Sequence, residues 1–238
     1  VVLKIFTLIS KLGLDTASIK YIASYCAEKS YFGIISFRKK ALSIILITSI
    51  FSSIVMYFGA SYIAEFIGAN SYHIKITSFF IFPLSVFMFH YQNMRGLKEI
   101  GGYSFFFWTS QALFSLLAIL VLTLFSKDEN IPLYAYLISL IIISLASFFS
   151  FSYFLKNKKN RNEFLLTNKI SDSTANILKI SIPLMLAQAV HFIMSWTDKL
   201  MLGILDSPDV ISGVATNSAQ IGVYHTAFKL SMFATIGL

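Results

Sequence analysis

Five apolar runs, each long enough to cross a bilayer, constrain this chain more than any other feature. They lie at about residues 41–58, 76–94, 103–125, 132–155 and 180–204. A spanning helix needs about 20 predominantly apolar residues, and only 13% of the 238 residues are charged, against about 25% in ordinary soluble domains. Because a water-soluble fold could not bury this much apolar surface, the sequence predicts an all-α, polytopic helical membrane protein.

Two shorter apolar stretches, at residues 1–12 and 221–238, flank the five runs. Each is slightly too short for a full crossing, and the chain has no initiator Met. We therefore expect both ends to lie inside helices. The predicted architecture is about five full spans plus two truncated ones, as an internal piece of a longer protein.

Lysines and arginines are distributed unevenly between the connecting segments. Fourteen of the 19 occupy alternate loops, at 11–40, 95–102 and 156–179, and the intervening loops hold only Lys75 and Lys127. Because basic residues in short loops are retained on the cytoplasmic side, these three loops are predicted to face the cytoplasm. The formal charge of +8 thus indicates a protein of the cytoplasmic (inner or plasma) membrane in contact with its lipids, and not a nucleic-acid-binding protein.

Two polar segments have a predicted organisation of their own. The lysine- and asparagine-rich segment 156–179 is long for a connection between packed helices, so we expect a boundary between two helical bundles there. Segment 13–37 mixes aromatic, aliphatic and charged residues. This mixture favours a helix lying at headgroup level, with an irregular loop as the alternative.

The run 180–204 carries a polar face, which is its most informative feature. At 100° per residue, six polar residues fall within an arc of about 100°: Ser181, Gln188, His191, Ser195, Asp198 and Lys199. A charged residue at the bilayer centre costs about 2.5–3.5 kcal/mol even on the lenient insertion scale, so this face should meet protein or a water-filled cavity. Pro183 permits a kink, either for movement or for static packing.

Lys229, in the last apolar stretch, is predicted to lie at a depth similar to that of Asp198. We hypothesise that Asp198 forms a charge cluster with Lys229, or with Lys199 and local water, in a central cavity where the cation recognises an anionic substrate group. The alternative is a buried ion pair that only fixes helix docking. His191 is a candidate for proton coupling or a neutral packing residue. His90, Gln92 and Asn93 are expected to be anchors at headgroup depth.

Several chemistries have no motif in this sequence. It contains no Walker A loop, no dinucleotide-type glycine fingerprint and no histidine pair at zinc spacing. A single cysteine, Cys26, excludes a disulfide within the chain. The sequence therefore predicts no catalytic residues, no metal and no cofactor, and the protein is not expected to be an enzyme.

Three segments carry a resemblance to a known family. They are GLDTASIKYIASY (13–25), MRGLKEIGGYSF (94–105), and SIPLMLAQAVHFIMSWTDKLMLGIL (181–205) followed by IGVYHTAFKLS (221–231). With these segments the chain resembles the polysaccharide-transporter branch of the MOP flippase superfamily. Members of this branch export lipid-linked oligosaccharides.

The resemblance implies a two-lobe bundle that works by alternating access. Residues 1–155 would form most of the N-terminal lobe, without its first helix, 156–179 the cytoplasmic inter-lobe linker, and 180–238 the start of the C-terminal lobe. Asp198 matches an aspartate of the family's seventh helix, and Tyr224 and Lys229 fall in the motif of the eighth. The implied substrate is a polyprenyl-phosphate-linked sugar, and polysaccharide polymerase machinery is an open further partner.

Two other functions stay open at this stage. A multidrug exporter of the same superfamily should line its cavity with acidic residues, and Lys199 and Lys229 argue against it. A membrane-embedded glycosyltransferase or polymerase should show acidic or histidine pairs in an outer loop. The nearest such pair is Asp206 and Asp209, which we expect to cap a turn around Pro208.

Overall fold

The computed structural model describes residues 2–67, 70–125, 128, 130–164 and 172–204, together with the isolated Ala227. Within these residues the regular secondary structure is helical. The chain divides into two compact units, Val1–Leu186 and Ala187–Leu238. The contacts given below lie within one or the other of these units.

Ten α-helices cover most of the described residues. In chain order they are α1 (Val2–Ser10), α2 (Leu14–Ala27), α3 (Tyr31–Phe58), α4 (Ala60–Ile67), α5 (Ser71–Ser78), α6 (Ile81–Gly96), α7 (Ile100–Ser104), α8 (Ser110–Phe125), α9 (Ile131–Asn160) and α10 (Thr174–Ile204). A π-helical turn at Phe105–Thr109 joins α7 to α8.

Four of the five predicted membrane spans are confirmed, and the fifth, 76–94, coincides with a bent pair of helices. In the described part of the chain, four helical stretches are long and apolar enough to cross a bilayer: α3, Ile100–Phe125, α9 and Thr174–Ser195 within α10. The α5–α6 pair is bent by 50° and makes a fifth if it counts as one span. The chain is thus an all-α, multi-pass membrane protein.

The segment predicted as one headgroup-level helix differs from the prediction. It contains two helices, because α2 ends at Ala27 and α3 begins at Tyr31, ten residues before the expected start of its span. Ser30 caps α3 by accepting a hydrogen bond from the Gly33 N–H at 3.1 Å. Moreover, Tyr21 and Tyr25 are buried within the bundle, where Tyr21 stacks on Phe37 at 5.0 Å between ring centroids.

Two short helices form the connection between α3 and α6. The α4 helix exposes Tyr62 and Phe66, as expected for aromatic residues at a membrane interface. At the bend between α5 and α6, Ser53 donates its hydroxyl hydrogen to the Ser78 carbonyl at 2.7 Å. This bond gives a donor to a carbonyl near the break, where the regular helical pattern is interrupted.

Helix α6 is the centre of the first unit, where it packs against α1, α2, α3 and α9. The core around it is largely aromatic and includes Phe37, Phe89 and Phe151, each at most 1% exposed. On α9, Ser139 and Ser147 are fully buried. Small residues at these positions allow close helix packing.

Candidate functional site

The polar face predicted for the run 180–204 lies on α10. Ser195 Oγ is 3.1 Å from His191 Nδ1 and also donates to the His191 carbonyl at 2.8 Å, so the two side chains meet one turn apart. Both side chains are exposed, and Gln188 is half-buried. Thr197 donates to its own helix at the Ile193 carbonyl, as expected for a threonine on the opposite face.

The other predicted site residues are only partly within the described structure. Asp198 and Lys199 belong to the backbone of α10, but their side chains are outside the description. Tyr224 and Lys229 lie outside the described residues altogether. The helical register places Asp198 one turn after Ser195, and the proposed charge cluster stays a prediction.

The N-terminal part of α10, around Pro183, is in close contact with the turn before α2. Gly13 there has a left-handed backbone, with φ of +72°, which favours glycine. A Cβ atom at Gly13 would overlap the Ser181 carbonyl oxygen and would lie 2.6 Å from the Met185 nitrogen. Ser181 is fully buried. The α1–α2 turn therefore lies directly against the α10 backbone on both sides of Pro183.

A cluster of hydrogen bonds holds Asp172, which lies just before α10. Tyr25 Oη donates to Asp172 Oδ2 at 2.6 Å and accepts from the Asp172 N–H at 3.1 Å. Lys40 Nζ donates to the Asp172 carbonyl, also at 2.6 Å. Burial, and then the hydrogen bond to the Asp172 carboxylate, raises the pKa of the Tyr25 phenol above its usual range. These hydrogen bonds attach the 156–179 segment, at Asp172, to α2 and α3.

Helix α2 also contacts the end of α6 closely. A Cβ atom at Gly96 would lie 2.9 Å from the Ile22 Cβ atom, so α6 approaches α2 through a residue without a side chain. The three segments that carry the family resemblance thus include residues that meet at α2. We call this contact region the α2 junction and define it by Gly13, Tyr25, Gly96, Asp172 and Ser181. The residues of the junction were not among the predicted site residues, although its two glycines are a signal for close backbone approach.

An open cavity of about 640 Å³ lies beside the α2 junction. Its lining mixes Lys20 and Lys179 with Glu28 and Asp172. Tyr21 Oη donates to the Asn176 carbonyl at 3.2 Å across the same region. The lining of this cavity therefore carries charges of both signs.

A buried ion pair lies at the start of α2. Lys11 Nζ is 2.5 Å from Asp15 Oδ2, and the two residues are 6% and 1% exposed. Next to it, Ser10 and Ser85 share a hydrogen bond of 2.6 Å, and Thr48 donates to the Ser10 carbonyl. These bonds tie the end of α1 to α3 and α6.

The prediction that His90 and Asn93 anchor α6 at headgroup depth is wrong. Both residues are fully buried. His90 Nδ1 is 2.8 Å from the Val86 carbonyl oxygen, and its ring packs edge-on against Phe148 and Phe151 of α9. The residues belong to the protein core because neighbouring helices cover this end of α6, an arrangement that the local sequence does not encode.

The described residues give no support for metal chemistry. Within them, no group of three or more His, Cys, Asp or Glu side chains could hold a metal ion. The polar groups of α10 and of the α2 junction include hydroxyl, amide, imidazole and amino groups, together with the Asp172 carboxylate. Such groups can bind a polar or anionic molecule by hydrogen bonds and charge.

Comparison with known proteins identifies a family. The polysaccharide biosynthesis protein family matches residues 1–238. No curated protein and no solved structure matches the chain. The family match includes α10 and every residue of the α2 junction. The chain therefore belongs to the polysaccharide biosynthesis protein family, the polysaccharide flippases of the MOP superfamily.

Proposed function

We propose that this chain forms part of a flippase that moves a polyprenyl-phosphate-linked oligosaccharide across the cytoplasmic membrane by alternating access. The family's role in polysaccharide biosynthesis supports this function. A lipid-linked sugar carries an anionic phosphate and a bulky polar head, neither of which crosses hydrocarbon unaided. A transport protein, and not an enzyme, is what such a step requires.

The observation that carries the proposal is the set of polar residues at helical spacing in α10. This single helix of 31 residues holds five of the seven proposed site residues: Gln188, His191, Ser195, Asp198 and Lys199. The Ser195–His191 contact supports the register on which the predicted polar face rests. A face with this many polar groups is costly against acyl chains, and it suits a water-filled translocation cavity.

In this proposal the site residues have different roles. Lys199 and Lys229 pair with the phosphate group of the substrate, and Asp198 balances their charge when the cavity is empty. Gln188, His191, Ser195 and Tyr224 offer hydrogen bonds to sugar hydroxyls. These groups would recognise a phosphorylated sugar carrier as a class.

In this proposal α10 forms a wall of the cavity, and the contacts at the α2 junction hold its N-terminal part in place. Within the first unit, Gly13 contacts the N-terminal part of α10, and Asp172, just before α10, is bonded to Tyr25. We propose that 1–155 acts as one lobe, that 156–179 is the cytoplasmic linker, and that α10 begins the second lobe. Alternating access would then bend or rotate the chain near Pro183, where a backbone hydrogen bond is missing.

The proposal is tested with the full-length protein in proteoliposomes that contain a polyprenyl-diphosphate sugar labelled with a dithionite-sensitive fluorophore. The double variant Lys199→Gln/Lys229→Gln should lower the flipping rate by about tenfold or more, because charge-assisted bonds to the phosphate are lost. Lys75→Gln, in a predicted outer loop, is the matched control and should leave the rate unchanged.

Three outcomes would contradict the proposal. Flipping by the double variant at the unaltered rate would exclude the proposed role of the two lysines. Export of a cationic dye such as ethidium, without flipping of the labelled sugar, would favour a multidrug exporter. Cleavage or extension of the labelled sugar by the protein would indicate an enzyme.

A further inference from the structure

A groove on the surface of the first unit lies between α3 and α9, with α6 as its floor. Its volume is about 490 Å³. The apolar lining includes Leu42, Leu46, Phe82, Val86, Leu145 and Phe149. Val86 on the floor is 7% exposed, whereas Leu46 and Leu145 on the walls are 44% and 54% exposed. The groove therefore has the shape and chemistry to hold a hydrocarbon chain.

A positive charge lies at one end of this groove. Lys39 is the single charged residue among those that line it, and its side chain is exposed. In the part of the chain that the structure describes, no carboxylate forms a salt bridge with Lys39. Ser43, also in the lining, donates its hydroxyl hydrogen to the Lys39 carbonyl at 2.9 Å. The groove is thus apolar along its length and cationic at one end.

Arg38 connects the two wall helices, α3 and α9, at the same end of the groove. Its guanidinium group lies over the rings of Phe148 and Phe151, at 4.3 and 5.0 Å from their centroids. Arg38 Nη1 also donates to Ser152 Oγ at 3.0 Å. This bridge ties α3 to α9 beside Lys39, and the guanidinium group itself is not part of the groove lining.

The length of the groove along α3 is compatible with the thickness of one leaflet of a bilayer. Lys39 lies in the segment 11–40, which is predicted to face the cytoplasm, and Leu46 lies about 10 Å further along α3. Half of the hydrocarbon core of a bilayer is about 15 Å thick. The cationic end would thus meet lipid phosphates while the apolar part extends beside the acyl chains of the same leaflet.

We propose that this groove is a binding site for an anionic glycerophospholipid of the cytoplasmic leaflet. The phosphate group lies against Lys39, and one acyl chain lies along Leu42, Leu46 and Leu145. A protein helix seated here would bury Lys39 without an opposite charge, which is costly. The site is separate from the polar face of α10, so it does not depend on the proposed transport function.

The test uses the fluorescence of single tryptophans in the full chain, reconstituted into bilayers with brominated lipids as quenchers. The natural tryptophans, Trp108 and Trp196, are replaced by Phe, and Leu46→Trp places a reporter in the groove. Brominated phosphatidylglycerol should bind at this reporter about fivefold more strongly than brominated phosphatidylcholine, the factor expected from one lysine near an anionic lipid. High salt should reduce this preference.

Two comparisons locate the preference at Lys39. A reporter at Leu116→Trp, on the exposed side of α8 outside the groove, should show a binding ratio close to one. In the Leu46→Trp protein, Lys39→Gln should remove the preference, whereas Lys20→Gln, an exposed lysine on α2, should leave it in place. Correct folding of each variant is checked by circular dichroism and gel filtration.

Several results would overturn the proposal. Equal quenching by the two lipids at Leu46→Trp, or a preference that survives Lys39→Gln, would exclude an anionic lipid site at this lysine. Protection of Leu46→Trp from both quenchers would show that protein covers the groove. Displacement of brominated phosphatidylglycerol by a much lower mole fraction of polyprenyl phosphate would assign the groove to the sugar carrier instead.

Discussion

At the scale of single residues, the described structure contains two kinds of ion pair. The Lys11–Asp15 pair is almost completely buried, with side chains 7% and 2% exposed. Lys158 pairs with Glu99 at 3.4 Å, and these side chains are 20% and 32% exposed. A buried pair becomes strongly destabilising when one partner is removed, because the other charge is left without compensation. An exposed pair contributes little to the free energy of unfolding.

The buried pair leads to a prediction about stability. Asp15→Asn should lower the free energy of unfolding by about 3–5 kcal/mol, because Lys11 then stays buried without its carboxylate. The double variant Lys11→Met/Asp15→Leu should recover most of this loss. Unfolding in mixed micelles with increasing sodium dodecyl sulfate measures both effects.

Glu99→Gln is the matched control for this prediction. It removes the carboxylate of an exposed pair and should change the free energy of unfolding by less than about 1 kcal/mol. Equal losses for Asp15→Asn and Glu99→Gln would show that burial does not set the energy of the Lys11–Asp15 pair.

At the scale of helices, the sequence predicted the spans but not the contacts that position them. Apolar runs such as 132–155 identify α9 because length and composition alone decide whether a helix crosses a bilayer. The early start of α3 at Tyr31, the bend at α5–α6 and the π-helical turn at Phe105–Thr109 leave no mark in hydropathy. The start of α3 depends on its local Ser30 cap, and a hydrogen bond from Ser53 of α3 lies at the α5–α6 bend.

The candidate site, like the fold, could be predicted from the sequence only in part. A helical projection predicts a polar face on α10, because a period of 3.6 residues is a local property. The α2 junction could not be found in this way, since Gly13 and Ser181 are far apart in the sequence. For the same reason the burial of His90 was missed, because its environment consists of side chains from α9.

The α2 junction gives a prediction at this scale. Gly13→Ala should destabilise the protein by more than the roughly 1–2 kcal/mol that an L-residue loses in a left-handed backbone, because its Cβ atom also overlaps the backbone at Ser181. Thermal unfolding of the purified full chain measures the loss.

Gly101→Ala provides the control for Gly13→Ala. This glycine lies in α7, and a Cβ atom there would meet nothing within 4 Å. Alanine is a better helix former than glycine, so this variant should be as stable as the original or slightly more stable. If both variants lose the same stability, close contact at Gly13 is not the cause.

At the scale of the whole molecule, the distribution of basic residues predicts which side of the membrane each loop faces. In a Cys26→Ser background, Lys20→Cys and Arg161→Cys should react with a membrane-impermeant maleimide only after the cells are permeabilised. Asn70→Cys and Asp128→Cys should react in intact cells, because these residues lie in the predicted outer loops.

The native Cys26 is removed in this experiment so that only introduced thiols are counted. Burial raises the pKa of the Cys26 thiol to about 11, so it is mostly protonated and a poor nucleophile at neutral pH. Reaction of Arg161→Cys in intact cells would reverse the predicted topology. The groove with Lys39 would then lie in the outer leaflet.

The bend between α5 and α6 sets the height of one span. Straight, the 24 residues of these two helices would extend about 36 Å, which exceeds the roughly 30 Å of a typical hydrocarbon core. With α6 along the membrane normal and α5 inclined by 50°, the pair rises only about 32 Å. The break thus lowers the rise of the two helices by about 4 Å, which brings this span closer to the thickness of the hydrocarbon core.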